Sequence, residues 1–517
     1  MKNPSMKDVL ATQSQVKAEL VQVKADCLRV TVENLQLKQL VTKLEEANAN
    51  LKQKLFGSSS EKAPRVKGAP RTRKPSGIVR DNHGRSPIEA ELPRVDEVVD
   101  VEEVMRPGMD LFATEVRELL TWRCGYWYVR RLLLRKYAIK GEPDVGVVGA
   151  TMPSIGVERG KFDSSVAARL IHGKYTLHLP VHRQLEDFAS EGVVIANQTA
   201  IGHMMRCAVV LRPLGLLLQS LINRRTAKHS DDTPVDQLDP GGGTGKSLTA
   251  RIWCNYSDCD GPPLVSFIAS DGRTKEDAAT AIGSFGGYIH ADACPSHDQL
   301  FLPRQDGGPV AKEVACMAHV RRKFYEARES LGKKQTEKIL KIIARLYAIE
   351  ADIRSKYKAA AALATTPAMW QEAADLRRDY RLRKGAAALI DDLLSLVDAV
   401  LKDQPPGSAV HRAAVYAGNL RLQLRVYLDD GRLEIDNNNA ENTLRRVAIG
   451  RKNWLFFGSE IGATAGALFM TLAANCKLHD VDFFDYIQDI LPRIAAAGTE
   501  LEQHLPHKWQ PLPVSAG

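Results

Sequence analysis

The chain has 517 residues, which is too many for one hydrophobic core and predicts roughly two to four domains. Lysine and arginine (71) outnumber aspartate and glutamate (62), and the formal net charge of +9 favours an anionic partner. None of the eight cysteines forms a Cys-x-x-Cys pair, and polar residues interrupt the longest apolar run, residues 211–222. We therefore expect a reducing cytoplasm, no disulfide framework, no signal peptide and no membrane span.

A heptad repeat runs through residues 16–55, where apolar side chains recur three and four positions apart. Asn34 and Asn48 occupy core positions of this repeat, and asparagine there fixes the register and favours two parallel helices. We predict a coiled coil over residues 1–56 that forms a homodimer. An intramolecular hairpin is the alternative, but the sequence has no second heptad run to partner the first.

Residues 57–87 predict a flexible basic arm. The stretch 62–80 contains seven basic residues, several prolines and no acid, a composition that cannot bury a core. A solvated linker would explain the arm as well, but a linker does not require one-sided charge. We therefore expect non-specific contacts to DNA phosphates from Arg71, Arg73 and Lys74.

Residues 88–145 predict a small β-rich unit. Residues 95–104 are acidic and β-branched, whereas residues 126–137 mix apolar and basic side chains, which indicates a strand with a basic face.

Residues 146–224 predict a helical region, with helices at 164–172, 181–190 and from 197 to 211. A glycine-containing turn separates the last two helices. This arrangement is compatible with a helix-turn-helix that binds DNA, and a plain helical hairpin fits it equally well.

Five strands and a helix are predicted from residue 226 onward. The first strand, 226–231, ends in Asp231 and Asp232, because Pro234 disfavours helix and holds the acids at an extended tip. Strands at 248–256 and 264–269 complete an antiparallel meander.

A helix at 274–284, with Thr274 as its N-cap, leads to a fourth strand at 287–292 that ends in Asp292. A fifth strand is predicted at 310–319.

Gly241–Ser247 looks like a phosphate-binding loop. Position 240 is proline where that motif needs glycine, and no helix follows to supply an anion-binding terminus. We interpret this segment as a hairpin loop.

A third isolated acid follows a helical insertion. An Asn- and Asp-rich turn at residues 436–439 ends where an amphipathic helix begins, so Glu441 falls in the first helical turn. Four cations follow it: Arg445, Arg446, Arg451 and Lys452. An acid beside such cations is typical of a metal-bound carboxylate that meets a nucleic-acid backbone, and an N-capped helix with an i,i+4 salt bridge is the alternative.

Asp231, Asp292 and Glu441 lie on two strands and one helix, which is the plan of a ribonuclease H-like nucleotidyl transferase. In that fold the first and fourth strands are neighbours, so their carboxylates meet. Hard oxygen ligands of this kind hold two divalent ions about 3.5–4 Å apart. A glycosidase pair is an alternative, but it needs only two acids and leaves the third acid and the cations unexplained.

Several longer motifs resemble transposases of the insertion-sequence sixty-six family. They are His229–Val235, Tyr288–Asp292, Cys316–Phe324, Asp436–Trp454, Leu55–Lys62 and Leu505–Pro511. The resemblance implies an α/β fold with a ribonuclease H-like core, interrupted by a large helical insertion. Its parts are the core at 225–324 and 429–480, the insertion at 325–428, and a C-terminal helix and tail at 481–517.

The resemblance also implies an activity, namely cleavage of transposon ends and joining of the 3′ hydroxyl to target DNA. Asp231, Asp292 and Glu441 would carry it by holding two Mg²⁺ or Mn²⁺ ions. The implied partners are the terminal inverted repeats, target DNA and accessory proteins encoded by the same element, at the nucleoid in a bacterial cytoplasm. A nuclease of the same fold that cuts without joining, and a DNA-binding regulator whose catalysis has decayed, are the alternatives.

Two departures from the family's pattern modify these expectations. Relatives carry a cysteine zinc-binding module between the arm and the core, where this chain has only Cys124, so we expect no zinc. Asp232 stands where relatives tend to have glutamate, which leaves two adjacent candidates for the first metal ligand. Alternation along a strand points only one of them at the metals, and the motif favours Asp231, with Asp232 in a supporting role.

Five further residues have candidate supporting roles. Arg322 and Lys323 would contact a scissile phosphate, and His319 would orient a carboxylate or serve as a core histidine. Trp454 would stack on a base and His290 would support Asp292, although packing in the core is favoured for both.

Overall fold

The computed structural model describes residues 88, 92–101, 109–123, 125–139, 147–157, 160–238, 247–303, 307–329, 332–496 and 500–511. The predicted coiled coil, the arm with Arg71, Arg73 and Lys74, and Cys124 lie outside the described residues, as does the loop at 239–246. The structure is mixed α/β. It has a helical unit, Met317–Ile353 and Tyr380–Arg425, and a sheet unit, Asp81–Cys316, Arg354–Asp379 and Val426–Gly517.

The first sheet of the sheet unit has four strands among the described residues. They are β1 (Arg94–Val99), β2 (Met109–Arg123), β3 (Tyr126–Ile139) and β4 (Val147–Gly149). β2 and β3 form an antiparallel hairpin, and β1 lies parallel to β3. A β structure was predicted here, and the strands confirm it.

The predicted basic face of β3 is wrong, because acids on the neighbouring strands balance its charges. Four of its cations have ion pairs within 3.2 Å, namely Arg130 with Glu97, Arg131 with Asp96, Arg135 with Asp100 and Lys136 with Glu115. The acid-rich β1 lies beside β3, and β2 contributes Glu115.

The central sheet has six strands in the described part of the chain. They are β5 (Ala227–Leu238), β6 (Ser247–Ser257), β7 (Leu264–Ser270), β8 (Tyr288–Ala291), β9 (Lys312–Ala315) and β10 (Phe456–Phe457). Their order is β7-β6-β5-β8-β9, with β10 also beside β5. β5, β6 and β7 form the predicted antiparallel meander, whereas β8 and β9 run parallel to β5. The first and fourth strands of this sheet are therefore neighbours.

Strand β5 differs from its prediction, because it continues through Asp231 to Leu238 instead of ending at the acids. Proline inside a strand is tolerated where no ladder hydrogen bond is needed from its nitrogen. β8 pairs only with residues 227–229 and β10 only with residues 236–237. Around Pro234, β5 therefore has one neighbouring strand, β6. The fifth strand, predicted at 310–319, is also shorter, since a helix begins at Met317.

The helices are α1 (Ser164–Tyr175), α2 (Val181–Ser190), α3 (Asn197–Asn223), α4 (Lys275–Ile282), α5 (Met317–Glu326), α6 (Lys333–Leu363), α7 (Pro367–Arg383), α8 (Ala386–Asp403), α9 (Ala409–Asn419), α10 (Asn438–Trp454), α11 (Glu460–Leu478) and α12 (Phe483–Ala495). The predicted helices at 164–172, 181–190 and 274–284 are confirmed, and Thr274 caps α4 through a capping box. α3 is longer than predicted, because it continues past Leu211 to Asn223.

Helix α11 covers the outer edge of the central sheet. Its Asn475 and Thr471 accept hydrogen bonds from the backbone N–H groups of Val265 and Phe267 on β7, at 3.2 and 2.8 Å, and Asn475 donates to the Val265 carbonyl at 2.7 Å. An edge strand otherwise presents unpaired backbone groups, so this helix closes the sheet.

In the described chain, two helices, Asn197–Asn223 and Glu460–Leu478, are long and apolar enough to cross a membrane by length and composition. Both pack against β7 in the sheet unit. Of the apolar window, 67% is buried in Glu460–Leu478 and 33% in Asn197–Asn223, so burial in this core explains the composition of the first of these helices better than that of the second.

The helical unit is held by packed apolar residues and by a buried ion pair. Arg381 donates to both carboxylate oxygens of Glu350, at 2.6 and 3.0 Å, and both side chains are buried. On the unit's surface, the Lys323 ammonium lies 4.4 Å from the centre of the Tyr416 ring.

Candidate active site

Asp231 and Asp232 occupy the middle of β5, where the strand lacks a second neighbour. Successive side chains of a strand point to opposite faces of the sheet. The two carboxylates therefore lie in different surroundings, although they are adjacent in sequence.

Asp232 is held by two arginines. Its side chain is 0% exposed, and its carboxylate oxygens lie 3.0 Å from Arg251 and 2.8 Å from Arg273. Arg251 lies on the neighbouring strand β6, and Arg273 lies just before α4. Charge-assisted hydrogen bonds of this length satisfy a buried carboxylate. Asp232 thus connects β5 to β6 and to the start of α4.

Asp231 is surrounded by other acids. Its pKa is raised from 3.8 to about 7, first by burial and then by the charges of Asp292, Asp232 and Glu441, while a hydrogen bond from the Asp232 backbone N–H, at 2.8 Å, acts to lower it. Asp292 contributes more than the other two acids. The fold thus brings the three acids named from the sequence within electrostatic range of one another.

Asp292 follows immediately after β8, as predicted. β8 is parallel to β5, and His290 on β8 is the register partner of His229 on β5. Since each histidine precedes its aspartate by two residues, the pairing sets Asp292 beside Asp231.

Glu441 lies in the first turn of α10, as predicted, and the residue before this helix anchors it. Asn437 is fully buried, and its amide donates to the Ser230 carbonyl on β5 at 2.9 Å. Its side-chain oxygen lies 3.1 Å from His229 Nδ1. Because the amide nitrogen is already donating to Ser230, the oxygen is the acceptor and His229 Nδ1 carries the proton. The helix start is thereby fixed one residue away from Asp231.

The two histidines connect the strands below the acids. Their rings stack with centroids 4.0 Å apart, and His290 Nε2 lies 3.0 Å from the Glu434 carbonyl oxygen. Burial lowers the pKa of His229, and burial together with the neighbouring His229 lowers the pKa of His290 further. Neutral rings can stack without charge repulsion. His229, His290 and Asn437 thus join the three elements that present the acids.

The cations of α10 have different environments. Arg451 donates to Thr233 Oγ1 at 2.9 Å and to the Pro234 carbonyl, so it fastens the helix to β5. Burial lowers the pKa of the half-buried Arg446. Arg445 and Lys452 are exposed. Of the four predicted DNA contacts on this helix, these two present their charges most openly to solvent.

Three other predicted site residues share one helix, and a fourth is packed in the core. His319, Arg322 and Lys323 lie on α5 of the helical unit, where Arg322 and Lys323 are exposed. Trp454 is buried in the main apolar core beside Phe457, which confirms the packing role favoured for it.

The arrangement offers carboxylate oxygens from three separate elements, and such hard oxygen donors suit Mg²⁺ or Mn²⁺. A divalent cation among them would offset the mutual repulsion that raises the pKa of Asp231. The residues present therefore fit a divalent metal.

Sequence reasoning missed the residues that position the acids. The sequence patterns predicted no role for Asn437 or His229. For His229 a signal was available, because a polar residue two positions before a strand carboxylate shares its face of the sheet.

Residues 159–465 match the model of the family described as Transposase IS66 family, which is more than half of the chain. The protein y4jD of Sinorhizobium fredii (strain NBRC 101917 / NGR234), named as uncharacterized, is 29% identical over 391 residues, or 74% of this chain and 73% of that protein. The protein y4qI of the same strain, also named as uncharacterized, is 27% identical over 512 residues, covering 94% of this chain and 86% of that protein. With the family model spanning the three acids, the chain belongs to the IS66 family of transposases.

Proposed function

We propose that this protein is a DNA transposase that cleaves transposon ends and joins the 3′ hydroxyl to target DNA through an Asp231, Asp292 and Glu441 site. The observation that carries the proposal is the convergence of these acids, since the charges of Asp292 and Glu441 both raise the pKa of Asp231. Perturbed carboxylates of this kind cluster at functional sites.

The strand arrangement supports a ribonuclease H-like core. The meander β5-β6-β7 and the parallel strands β8 and β9 give the order 3-2-1-4-5 within the core. In this order the first and fourth strands are adjacent, so acids on them meet despite their distance in sequence. The catalytic core would then comprise residues 225–324 and 429–480, with the helical insertion between them.

The three acids would hold two Mg²⁺ or Mn²⁺ ions. Bound there, the ions would activate the attacking water or hydroxyl and stabilise the leaving oxygen. Asp231 is the better candidate for the first ligand, because the carboxylate of Asp232 is already occupied by Arg251 and Arg273. Asp232 would instead hold β5 against β6 and against the start of α4.

The protein's own cations would bind the DNA. Arg445 and Lys452 are exposed on the helix that carries Glu441, and each would neutralise a phosphate without reading sequence. Arg451 and Arg446 are more enclosed, so they would hold the helix and shape its surface. Arg322 and Lys323 on α5, and the basic arm, are proposed as further phosphate contacts. The helical region 146–224 is proposed to contact DNA as well.

The implied setting follows from the family. The partners would be the terminal inverted repeats, target DNA, a second copy of the chain through residues 1–56, and accessory proteins of the same element. A bacterial cytoplasm, at the nucleoid, is the proposed location.

The test incubates the full-length protein with DNA carrying the inverted repeats that flank its gene, with Mg²⁺ or Mn²⁺, with and without the companion proteins. Wild type is compared with Glu441→Gln and with Glu460→Gln. Glu460 is the matched control, because it is an exposed glutamate in the first turn of α11. Wild type and the control should release 3′ ends at the repeat boundary and join them to a second DNA, while Glu441→Gln should bind the repeats and do neither.

Other outcomes separate the alternatives. Equal cleavage by Glu441→Gln would remove Glu441 from the site. Cleavage without joining would indicate a nuclease of the same fold. Binding without cleavage in every condition, companion proteins included, would indicate a regulator.

A further inference from the structure

The turn after β8 gathers three side chains that can ligate metal. Asp292, Cys294 and His297 each present a ligand atom, and these atoms all lie within 4.8 Å of one another. Ala293, between the first two, has φ of 61°, a left-handed conformation that is uncommon for a residue with a Cβ. The 3₁₀ helix Pro295–Phe301 then returns His297 toward Asp292.

His297 provides an independent sign of a ligand. Its side chain is 1% exposed, and neither ring nitrogen has a hydrogen-bond partner among the described residues. The ring has an apolar neighbour, the edge-to-face indole of Trp253 at 5.7 Å between centroids. An imidazole buried with both nitrogens unsatisfied costs free energy, and coordination of one nitrogen by a metal ion would offset that cost.

Cys294 is buried, and its sulfur contacts the Ser296 hydroxyl at 2.9 Å. A serine hydroxyl can donate to a metal-bound thiolate and so orient the sulfur toward an ion.

We propose that Asp292, Cys294 and His297 form a site for a transition metal ion of the Zn²⁺ class. A thiolate and an imidazole are ligands that Zn²⁺ accepts and that Mg²⁺ does not favour. Three protein ligands leave a fourth position for water or another donor, as in open zinc sites. The lack of cysteine pairs and of the family's amino-terminal module predicts no zinc, whereas the Asp-x-Cys-x-x-His spacing of this turn favours a metal site.

If the proposed function holds, this metal site affects the three-acid centre. Asp292 belongs to both groups, so an ion held by Cys294 and His297 competes with Mg²⁺ for this carboxylate. Zn²⁺ would then inhibit Mg²⁺-dependent cleavage, and Cys294→Ser would relieve the inhibition.

Spectroscopy with Co²⁺ as the probe tests the site without DNA. Full-length protein freed of metal is titrated with Co²⁺, and thiolate-to-cobalt charge transfer is recorded in the near ultraviolet. One ion per chain should bind with this band, and Zn²⁺ should displace it. Cys294→Ser should abolish the band, and His297→Gln should weaken binding by more than the roughly 10- to 100-fold that loss of an outer-shell partner costs.

Two control variants should keep the band. Cys259→Ser alters another buried thiol. This thiol bonds to the N–H and the carbonyl of Ala227, and a serine hydroxyl can form the same two hydrogen bonds. Asp231→Asn removes a proposed catalytic acid outside the cluster. Circular dichroism of every variant checks that loss of the band does not reflect unfolding. If Cys294→Ser fails to fold, the result for His297→Gln tests the site instead.

Absence of the band in wild type, or its persistence in Cys294→Ser, would overturn the proposed site. Because the spectrum needs no cleavage, a protein that binds Co²⁺ through Cys294 but never cuts DNA would retain this site and lose only the proposed function.

Discussion

The two faces of strand β5 hold adjacent aspartates in opposite electrostatic surroundings. On one face Asp232 is buried with ion pairs to Arg251 and Arg273. On the other, Asp231 is desolvated near two further acids, and its pKa is raised to about 7. A carboxylate with cationic partners stabilises the fold, whereas one placed among like charges destabilises it and is retained for chemistry. Substitutions on the two faces should therefore have opposite effects on stability.

The largest effect is expected from Asp231→Asn. DNA cleavage should fall on the order of 10³-fold, because loss of a metal ligand removes several kcal/mol of transition-state stabilisation at 1.36 kcal/mol per tenfold. At pH 8 without metal, the free energy of unfolding should instead rise by about 2 to 4 kcal/mol, since each unit of the raised pKa is worth about 1.4 kcal/mol.

The sign follows from proton linkage. The pKa of Asp231 is higher in the folded state than in the unfolded state, so the protein loses stability as pH rises from about 3.8 to about 7. The variant should therefore gain most above pH 7 and little at pH 4. Urea denaturation at both pH values measures the difference, and a loss of stability at pH 8 would contradict the account of this face.

Asp232→Asn should have the opposite effect on stability. Removing its charge leaves Arg251 and Arg273 near each other without their shared anion, at a cost of about 3 kcal/mol. The guanidinium groups reach solvent in part, which keeps the cost near the low end for a broken buried pair. Urea denaturation beside Asp231→Asn gives the comparison directly. Equal shifts of the same sign would show that the two faces do not differ.

Local sequence patterns predicted much of the fold. The meander, the Thr274 cap and the position of Glu441 in a first turn are confirmed. Each depends on alternation, capping or turn residues a few positions apart. The convergence of the acids was implied by family resemblance, which supplied the strand order that no local pattern contains.

What the sequence did not predict depends on distant partners. Arg273 meets Asp232 across 41 residues, and Asn437 meets Ser230 across 207. The predicted end of β5 was wrong, because a strand can contain Pro234 only where the neighbouring strands need no hydrogen bond from its nitrogen. The charge of β3 was misjudged for the same reason, since its balancing acids come from neighbouring strands.

Asn437→Ala should lower both stability and DNA cleavage, by less than the substitutions of the two aspartates change stability. It leaves the Ser230 carbonyl and His229 Nδ1 without their partner in a buried site, which should lower the free energy of unfolding by about 2 kcal/mol. Since the same amide fixes the start of α10, cleavage should fall as well. The neighbouring Asn438 is exposed, so Asn438→Ala is the matched control and should stay within about 0.5 kcal/mol of wild type. Equal losses from the two variants would remove Asn437 from this positioning role.

The smallest effect concerns His290, whose ring stacks on His229 on the same side of β5 as Asp231. Burial holds the pKa of His290 well below its usual value, so below about pH 6.5 the unfolded state binds a proton that the folded state does not. The stability of wild type should therefore fall, relative to His290→Gln, by about 1.4 kcal/mol between pH 7.5 and pH 5.5.

His182→Gln is the control, because that ring is exposed to water before and after unfolding. Urea denaturation of the three proteins at both pH values measures the shift. A constant difference between wild type and His290→Gln would contradict this account, because His290 would then bind as many protons in the folded state as in the unfolded state.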